Sequence, residues 1–241
     1  MLSKKQFKLI NSLRKKKYRL EYQLFLAERI KVVEELLQSN FKPHFILCTS
    51  NYSNKLSRDD LLIISDKELK SISEFSTPNQ ILGVFKIPNM DSLKARGISL
   101  VLDGVNDPGN LGTIIRLCDW FGIEQLVCSP NTVDCYNSKV VQASMGSLSR
   151  VSIIYKDLEP FLKEDTRPIY GALLNGENVY QKKLIKEAVL VLGNEANGIS
   201  KEIQKLITSN ITIPQFGDVK RTESLNVATA TAILLSEFMR N

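Results

Sequence analysis

The hydrophobic and polar positions divide this chain into an irregular first part and a strongly periodic second part. From residue 98 the apolar runs ISLVLDGV, IEQLVCS, RPIYGALL, AVLVLGNE and ITIPQ alternate with stretches of helical spacing. Continuous apolar strands separated by helices predict an α/β domain built on a largely parallel sheet covered on both faces. Upstream the pattern is less regular. Leu26, Ile30, Val33 and Leu37 recur at helical spacing with Glu28, Lys31 and Glu35 between them, which predicts an amphipathic helix. Phe45–Cys48, Leu61–Ile64 and Ile81–Phe85 read as short strands, and Ser65 with Glu68 has capping-box spacing ahead of a helix running toward Phe75. These elements predict a small α/β unit ending near Lys86. The polar stretch from Pro88 through Gly97 reads as a linker. The expected domains are therefore residues 1–97 and 98–241.

Composition removes several function classes. At 43% hydrophobic content over 241 residues the chain can bury a substantial core. No apolar run is long enough to span a bilayer, and the N-terminal MLSKKQFKLINSLRKKKYRL is charged where a signal peptide is apolar. A soluble cytoplasmic protein is expected. Cys48, Cys118, Cys128 and Cys135 show no C-x-x-C spacing, and His44 is the only histidine. Zinc binding and histidine-based hydrolysis are therefore poor readings, and no metal is expected. The charge is unevenly placed: 18 Lys+Arg against 10 Asp+Glu through residue 97, then 14 against 16. Within the first 31 residues the count is 10 against 2, with Phe7, Tyr18 and Tyr22 interleaved. This reads as a basic arm suited to a polyphosphate backbone, or alternatively as a solvated surface segment.

In doubly wound sheets ligands bind beyond the carboxyl ends of the strands, so the loops there hold the candidate chemistry. The first runs from Asp103 to Gly112 through Asn106-Asp107-Pro108-Gly109-Asn110, with Asn110 as the expected helix cap and Gly122 as its stop. On the helix that follows, Arg116 lies opposite the apolar stripe; taken alone it is a surface arginine. The glycines do not fit G-x-G-x-x-G, so the dinucleotide-binding fingerprint is absent. The second loop, Leu192-Gly193-Asn194-Glu195 to Gly198, puts a carboxylate at a strand end, with Gly193 allowing close approach of a ligand to the backbone. A plain strand-to-helix turn explains it equally well. The third follows Ile213-Pro214 and reaches Ser224-Leu225-Asn226-Val227 before an apolar helix. There Ser224 is a candidate cap, and Asn226 is either an anion holder or a capping residue.

Taken in order, these loops resemble the three signature motifs of the SpoU (TrmH-type) family in the SPOUT superfamily of RNA methyltransferases. The matching segments are D-P-G-N-L-G-T-I-I-R, L-V-L-G-N-E-x-x-G-I, and I-P followed by S-L-N-V-A-x-A. Ser144-Met145-Gly146-Ser147-Leu148 also resembles a family segment. The resemblance covers residues 98–241 closely. Residues 1–97 are similar in outline to a ribosomal-protein-L30e-like substrate domain, where Phe25-Leu26-Ala27-Glu28 fits F-L-V-E-G with Arg29 in place of glycine. The resemblance implies a trefoil-knotted α/β domain, a homodimer, and methyl transfer from S-adenosylmethionine to an RNA ribose 2′-hydroxyl, with ribosomal RNA favoured over tRNA. It also implies catalytic roles for Arg116, Asn110, Glu195, Ser224 and Asn226; on physical grounds Glu195 is expected to hold Arg116 in place as an ion pair. Leu192, Gly193, Asn194, Gly198, Ile213 and Leu225 would hold the cofactor. A further departure lies between Gly217 and Ser224, where Lys220 and Arg221 stand in a loop three residues longer than usual. The competing readings are a non-catalytic RNA-binding or ribosome-assembly protein, a small-molecule enzyme, and a methyltransferase acting on tRNA or on a base nitrogen.

Overall fold

A computed structural model describes residues 1–53, 55, 58, 61–89, 96–217 and 223–240. Lys220 and Arg221, and the middle of the stretch read as a linker, lie outside the described residues. The chain forms two compact units, one of Met1–Asn89 with Asp134–Ser149, the other of Met90–Val133 with Arg150–Asn241.

In the first unit the basic N-terminus is not an extended arm but two helices, α1 (Lys4–Leu13) and α2 (Lys16–Tyr22). Ser3 and Gln6 form a reciprocal capping box that starts α1. One side of α1 then supplies Ile10 and Leu13 to a core with Leu26, Leu47, Leu69, Ile72 and Leu82. The lysines occupy the other side, which is why the charge pattern concealed the helix. The sheet contains β1 (Leu24–Glu28), β2 (Pro43–Cys48), β3 (Leu61–Ile63) and β4 (Ile81–Lys86) in the order β1-β4-β2-β3. Three more helices, α3 (Ile30–Leu37), α4 (Ser50–Ser53) and α5 (Asp66–Ile72), complete the N-terminal portion. The expected reciprocal cap between Ser65 and Glu68 opens α5. One expectation fails here: Leu26 belongs to strand β1, and the helix begins only at Ile30. All five residues of β1 are buried, so the strand has no polar face and its alternation cannot be seen.

Asp134–Ser149, which carries α7 (Ser138–Ala143), closes the other side of this unit. Tyr136 packs 4.8 Å from Phe25 of β1, and the positive φ of Gly146 brings its backbone against Glu35. A buried ion pair also holds the segment. Arg19 is 3% exposed; its guanidinium donates to the carbonyls of Leu13 and Arg14 at the end of α1 and to Asp134 Oδ2 at 2.6 Å. Caps on the orphan carbonyls offset the desolvation of the charge.

Arg29 keeps the backbone conformation that glycine would adopt, with φ 75° and ψ 134°. Its guanidinium lies 5.1 Å from the Phe75 ring centre. The preceding Glu28 is buried and accepts from Ser73 Oγ and Glu74 N–H. Burial pushes its carboxyl above the usual range, against the lowering effect of those hydrogen bonds. Strained backbone of this kind costs about 1–3 kcal/mol, whereas an exposed cation–π contact returns about 0.5–1 kcal/mol. Arg29→Gly should therefore hold or raise thermal stability, while Arg29→Val should lower it. Calorimetric melts giving the opposite order would refute this account.

In the second unit six parallel strands lie in the order β10-β8-β9-β5-β6-β7. They are β5 (Ile98–Asp103), β6 (Gln125–Cys128), β7 (Ser152–Tyr155), β8 (Ile169–Asn178), β9 (Ala188–Gly193) and β10 (Ser209–Thr212). The helices are α6 (Pro108–Phe121), α8 (Leu158–Glu164), α9 (Lys201–Gln204) and α10 (Val227–Arg240), with α10 packing on α6 and β9. Val101, Val127, Val189 and Val191 form one face of the core, with Ile199 and Ile203 against them. From β5 the chain winds outward through β6 and β7, then returns to the other side of β5 for β8 and β9. The winding direction thus reverses between β5 and β9, whose last residues, Asp103 and Gly193, are register partners. Such a reversal opens a crevice at the strands' carboxyl ends. Among the described residues no helix is long and apolar enough to cross a membrane, and no cluster of three metal-ligating side chains occurs. All four cysteines are buried, and none is in a disulfide.

Candidate functional site

The loops after β5 and β9 are tied to each other by hydrogen bonds that the sequence pattern did not reveal. Asp103 is 8% exposed and accepts from the Ser200 N–H at 2.8 Å. Asn194 Nδ2 donates to the Gly104 carbonyl at 2.6 Å. On the β6 side, Ser129 Oγ accepts from the Gly104 N–H, and the Val133 N–H donates to the Val105 carbonyl. The positive φ of Gly104, 74°, lets the chain turn sharply between these anchors. Asp103 and Ser129 are polar residues at the ends of buried strands, and that position was the only signal the sequence carried for them.

The turn then delivers α6. Asp107, not Asn110, caps it: its side chain accepts from the Asn110 N–H at 2.8 Å, and Pro108 takes the first helical position. Asn110 lies one turn in, and its amide is therefore free for a different task. Gly122 ends the helix with φ 67°, as expected.

That task is a directional hydrogen-bonded chain. Asn110 Nδ2 donates to Glu195 Oε1 at 2.9 Å, and Asn110 Oδ1 accepts from Asn226 Nδ2 at 2.8 Å. Asn226 Oδ1 accepts in turn from the Ala228 and Thr229 N–H groups at the start of α10. The polarity follows from chemistry. An ionised carboxylate only accepts, so Asn110 must turn its NH2 toward Glu195 and its oxygen toward Asn226. Asn226 must then present its own oxygen to the helix N–H groups. It thus both caps α10 and carries the network, and the cap expected at Ser224 lies two residues later. Ser224 is exposed and, among the described residues, makes no hydrogen bond. The second oxygen of Glu195 accepts from the Asn106 N–H at 3.4 Å.

Arg116 sits on the exposed side of α6. The expected Arg116–Glu195 pair is not formed: Glu195 is engaged by Asn110 and Asn106, and Arg116 has no ion-pair partner among the described residues. Its cationic fork is left available to a ligand.

The β9 loop is shaped by its own backbone. Asn194 and Gly198 form an antiparallel bridge with N–H to carbonyl distances of 3.0 and 2.9 Å. Asn194 Oδ1 also accepts from the Ala196 and Asn197 N–H groups. All the polar groups of Asn194 are therefore committed within the protein, and its role is to build the loop. The close approach at Gly193 is likewise taken by the chain itself, since a Cβ there would overlap the Gly198–Ile199 peptide. The remaining residues offer apolar surface and backbone. Leu192 is buried beneath the loop, Ile213 is half-buried after β10, and Leu225 is 47% exposed ahead of α10.

Comparisons with known proteins agree over both units. A family model described as the SpoU rRNA Methylase family matches residues 97–236, and one described as an MRM3-like substrate binding domain matches residues 4–83. A curated relative, the 23S rRNA (guanosine(2553)-2′-O)-methyltransferase RlmP of Bacillus subtilis, is 32% identical over 227 residues, covering 91% of this chain and 90% of that protein. Among solved structures, a TrmH-family protein from Porphyromonas gingivalis is 40% identical with a TM-score of 0.91, covering 100% of this chain and 99% of that one. The AdoMet-bound rRNA methyltransferase of Sinorhizobium meliloti is 28% identical with a TM-score of 0.87, covering 100% and 96%.

Proposed function

The chain belongs to the SpoU rRNA Methylase family, and from that membership we propose how its own residues transfer a methyl group to a ribose 2′-hydroxyl of ribosomal RNA. S-adenosylmethionine supplies that group as an electrophilic methyl on a sulfonium. The loop residues fit such a donor. Leu225 and Ile213 offer apolar surface to a flat ring, and Gly193 and Gly198 leave the loop after β9 without bulky side chains beside it. No metal is required, because the leaving group departs neutral.

The chain's task is to hold a hydroxyl oxygen in line with the methyl group and to stabilise the charge that develops on it. Arg116 does this as a donor. A guanidinium keeps its charge in proteins and is unsuited to take the proton, which passes to a nearby RNA phosphate or to water, but its fork stabilises an oxyanion. The Glu195–Asn110–Asn226 chain fixes the floor of the crevice, and Asn226 adds the N-terminus of α10 for an RNA phosphate or ribose. The observation that carries this reading is that chain. It unites one side chain from each of three sequence-distant loops, and its directionality has no use in a plain turn.

We also propose that the basic first unit grips the RNA, that two copies pair, that the C-terminal segment threads a trefoil knot, and that the protein works in the cytoplasm. Mapping 2′-O-methylation across the stable RNAs of a deletion strain tests the function. One lost mark in ribosomal RNA is expected, and a lost tRNA mark would redirect it. Unchanged methylation everywhere would leave a non-catalytic RNA-binding role.

Asn226→Asp probes the network separately from the cap. Aspartate caps helices as well as asparagine does, but it cannot donate to Asn110 Oδ1. The Asn226–Asn110 bond is solvent-exposed, so its loss should change thermal stability little, while the misplaced network should lower kcat about tenfold or more. Equal losses of activity and stability would assign Asn226 to capping alone.

A further inference from the structure

The enzymatic reading accounts for Arg116 but not for the residue one turn beyond it. Trp120, the only tryptophan in the chain, is 84% exposed on α6. A surface indole this open forgoes a large hydrophobic contribution, and tryptophan is enriched at interfaces, where its body is apolar and its N–H can stay wet. Residues four apart on a helix share a face, with Cβ atoms about 5–6 Å apart. Arg116 and Trp120 therefore point to the same side. Beside them Thr113, one turn before, is exposed and polar, the half-buried Asp119 accepts from the Arg150 guanidinium at 2.9 Å, and the half-buried Leu117 is apolar.

We infer that Trp120 is a substrate-positioning residue, stacking on an unpaired base of the RNA at or next to the nucleotide whose 2′-hydroxyl Arg116 addresses. The proposal rests on the methyltransferase reading and adds to it a contact that selects unpaired RNA. Bases in single-stranded loops, bulges and ends of RNA are unstacked and free to lie on an aromatic side chain, whereas those in a regular helix are not. A ring on the enzyme supplies the stacking such a base lacks, and Arg116 one turn away puts a cation for the ribose on the same face of α6. The charged surroundings favour a nucleotide over a second protein surface, because protein interface cores are depleted of charge. Stacking is also tolerant of base identity, since every base has a π-face. In this arrangement Trp120 contributes affinity and orientation, and the choice of base falls to other contacts.

The single tryptophan makes the test direct. Deproteinised 23S rRNA and total tRNA are titrated into the full-length protein while indole emission is followed, and methyl incorporation is measured on the same RNAs. Saturable quenching is expected at the rRNA concentration that half-saturates methyl transfer. Trp120→Ala should raise KM for RNA about tenfold, Trp120→Phe should recover most of that, and neither should change S-adenosylmethionine affinity or the sedimentation coefficient. An unchanged KM in Trp120→Ala, with normal wild-type transfer, overturns the proposal. So does conversion of a dimer to a monomer by that substitution, which would assign the indole to a second copy. Absence of transfer by the wild-type protein on every RNA would instead overturn the enzymatic reading beneath it.

Discussion

Arg116→Ala should reduce methyl transfer at least a hundredfold while leaving S-adenosylmethionine affinity and thermal stability nearly unchanged. The stability half follows from the structure. Arg116 is exposed and has no ion-pair partner among the described residues, and truncations at such positions usually stay within about 0.5 kcal/mol. The catalytic half follows from what an unengaged cation can do beside a developing alkoxide, since removing one well-placed oxyanion donor costs about 10²–10³ in kcat. Arg116→Lys separates charge from shape. An ammonium keeps the charge but not the planar fork, so partial recovery indicates electrostatics and none indicates bidentate positioning. Incorporation of labelled methyl groups, with calorimetry of S-adenosylmethionine binding, checks each part. Wild-type turnover in Arg116→Ala would remove this residue from the mechanism. The unformed pair with Glu195 sharpens the prediction: Glu195→Gln should act through Asn110 rather than by releasing Arg116.

The second unit was legible because its strands are apolar throughout and its helices begin and end with recognisable signals. Gly122 stops α6 and Gly193 ends β9 where the pattern put them. β7 escapes the pattern because Ser152–Tyr155 is only four residues long, with two buried apolar residues between half-buried ends. The first unit was harder to read for reasons of burial. β1 has no polar face, and α1 hides two core residues among lysines. Asp134–Ser149 joins that unit through Tyr136 and the Arg19–Asp134 pair, contacts separated by more than a hundred residues in the chain. No local pattern records them. At the site, residue types were legible but partnerships were not. Glu195 accepts from an asparagine rather than an arginine because the cap of α6 sits at Asp107, which turns Asn110 inward. That shift of three residues along α6 redirects the whole hydrogen-bonded chain.

Gly193→Ala should be the most damaging substitution in the loop after β9 that we propose cradles the cofactor, and Gly198→Ala, five residues away, should be mild. At Gly193 an added methyl group would overlap the peptide between Gly198 and Ile199, which is backbone and cannot rotate aside as a side chain can. Nor can the loop swing away freely. The Asn194–Gly198 bridge, the Asn194 bond to Gly104 and the Asp103 bond to Ser200 hold it on three sides. Overpacking against a constrained backbone costs about 1–3 kcal/mol or more, and relief requires breaking one of those anchors. Each anchor also positions Glu195 or the floor of the crevice, so S-adenosylmethionine affinity and turnover should fall together, each by about tenfold or more. Gly198 has φ 67° and open space around the position of a Cβ, so alanine there incurs only the left-handed penalty of about 1–2 kcal/mol. Its loop should keep its shape and most of its cofactor affinity. Thermal melts and S-adenosylmethionine calorimetry on both variants distinguish the two cases. Wild-type cofactor affinity in Gly193→Ala would show that this loop does not form the cofactor cradle.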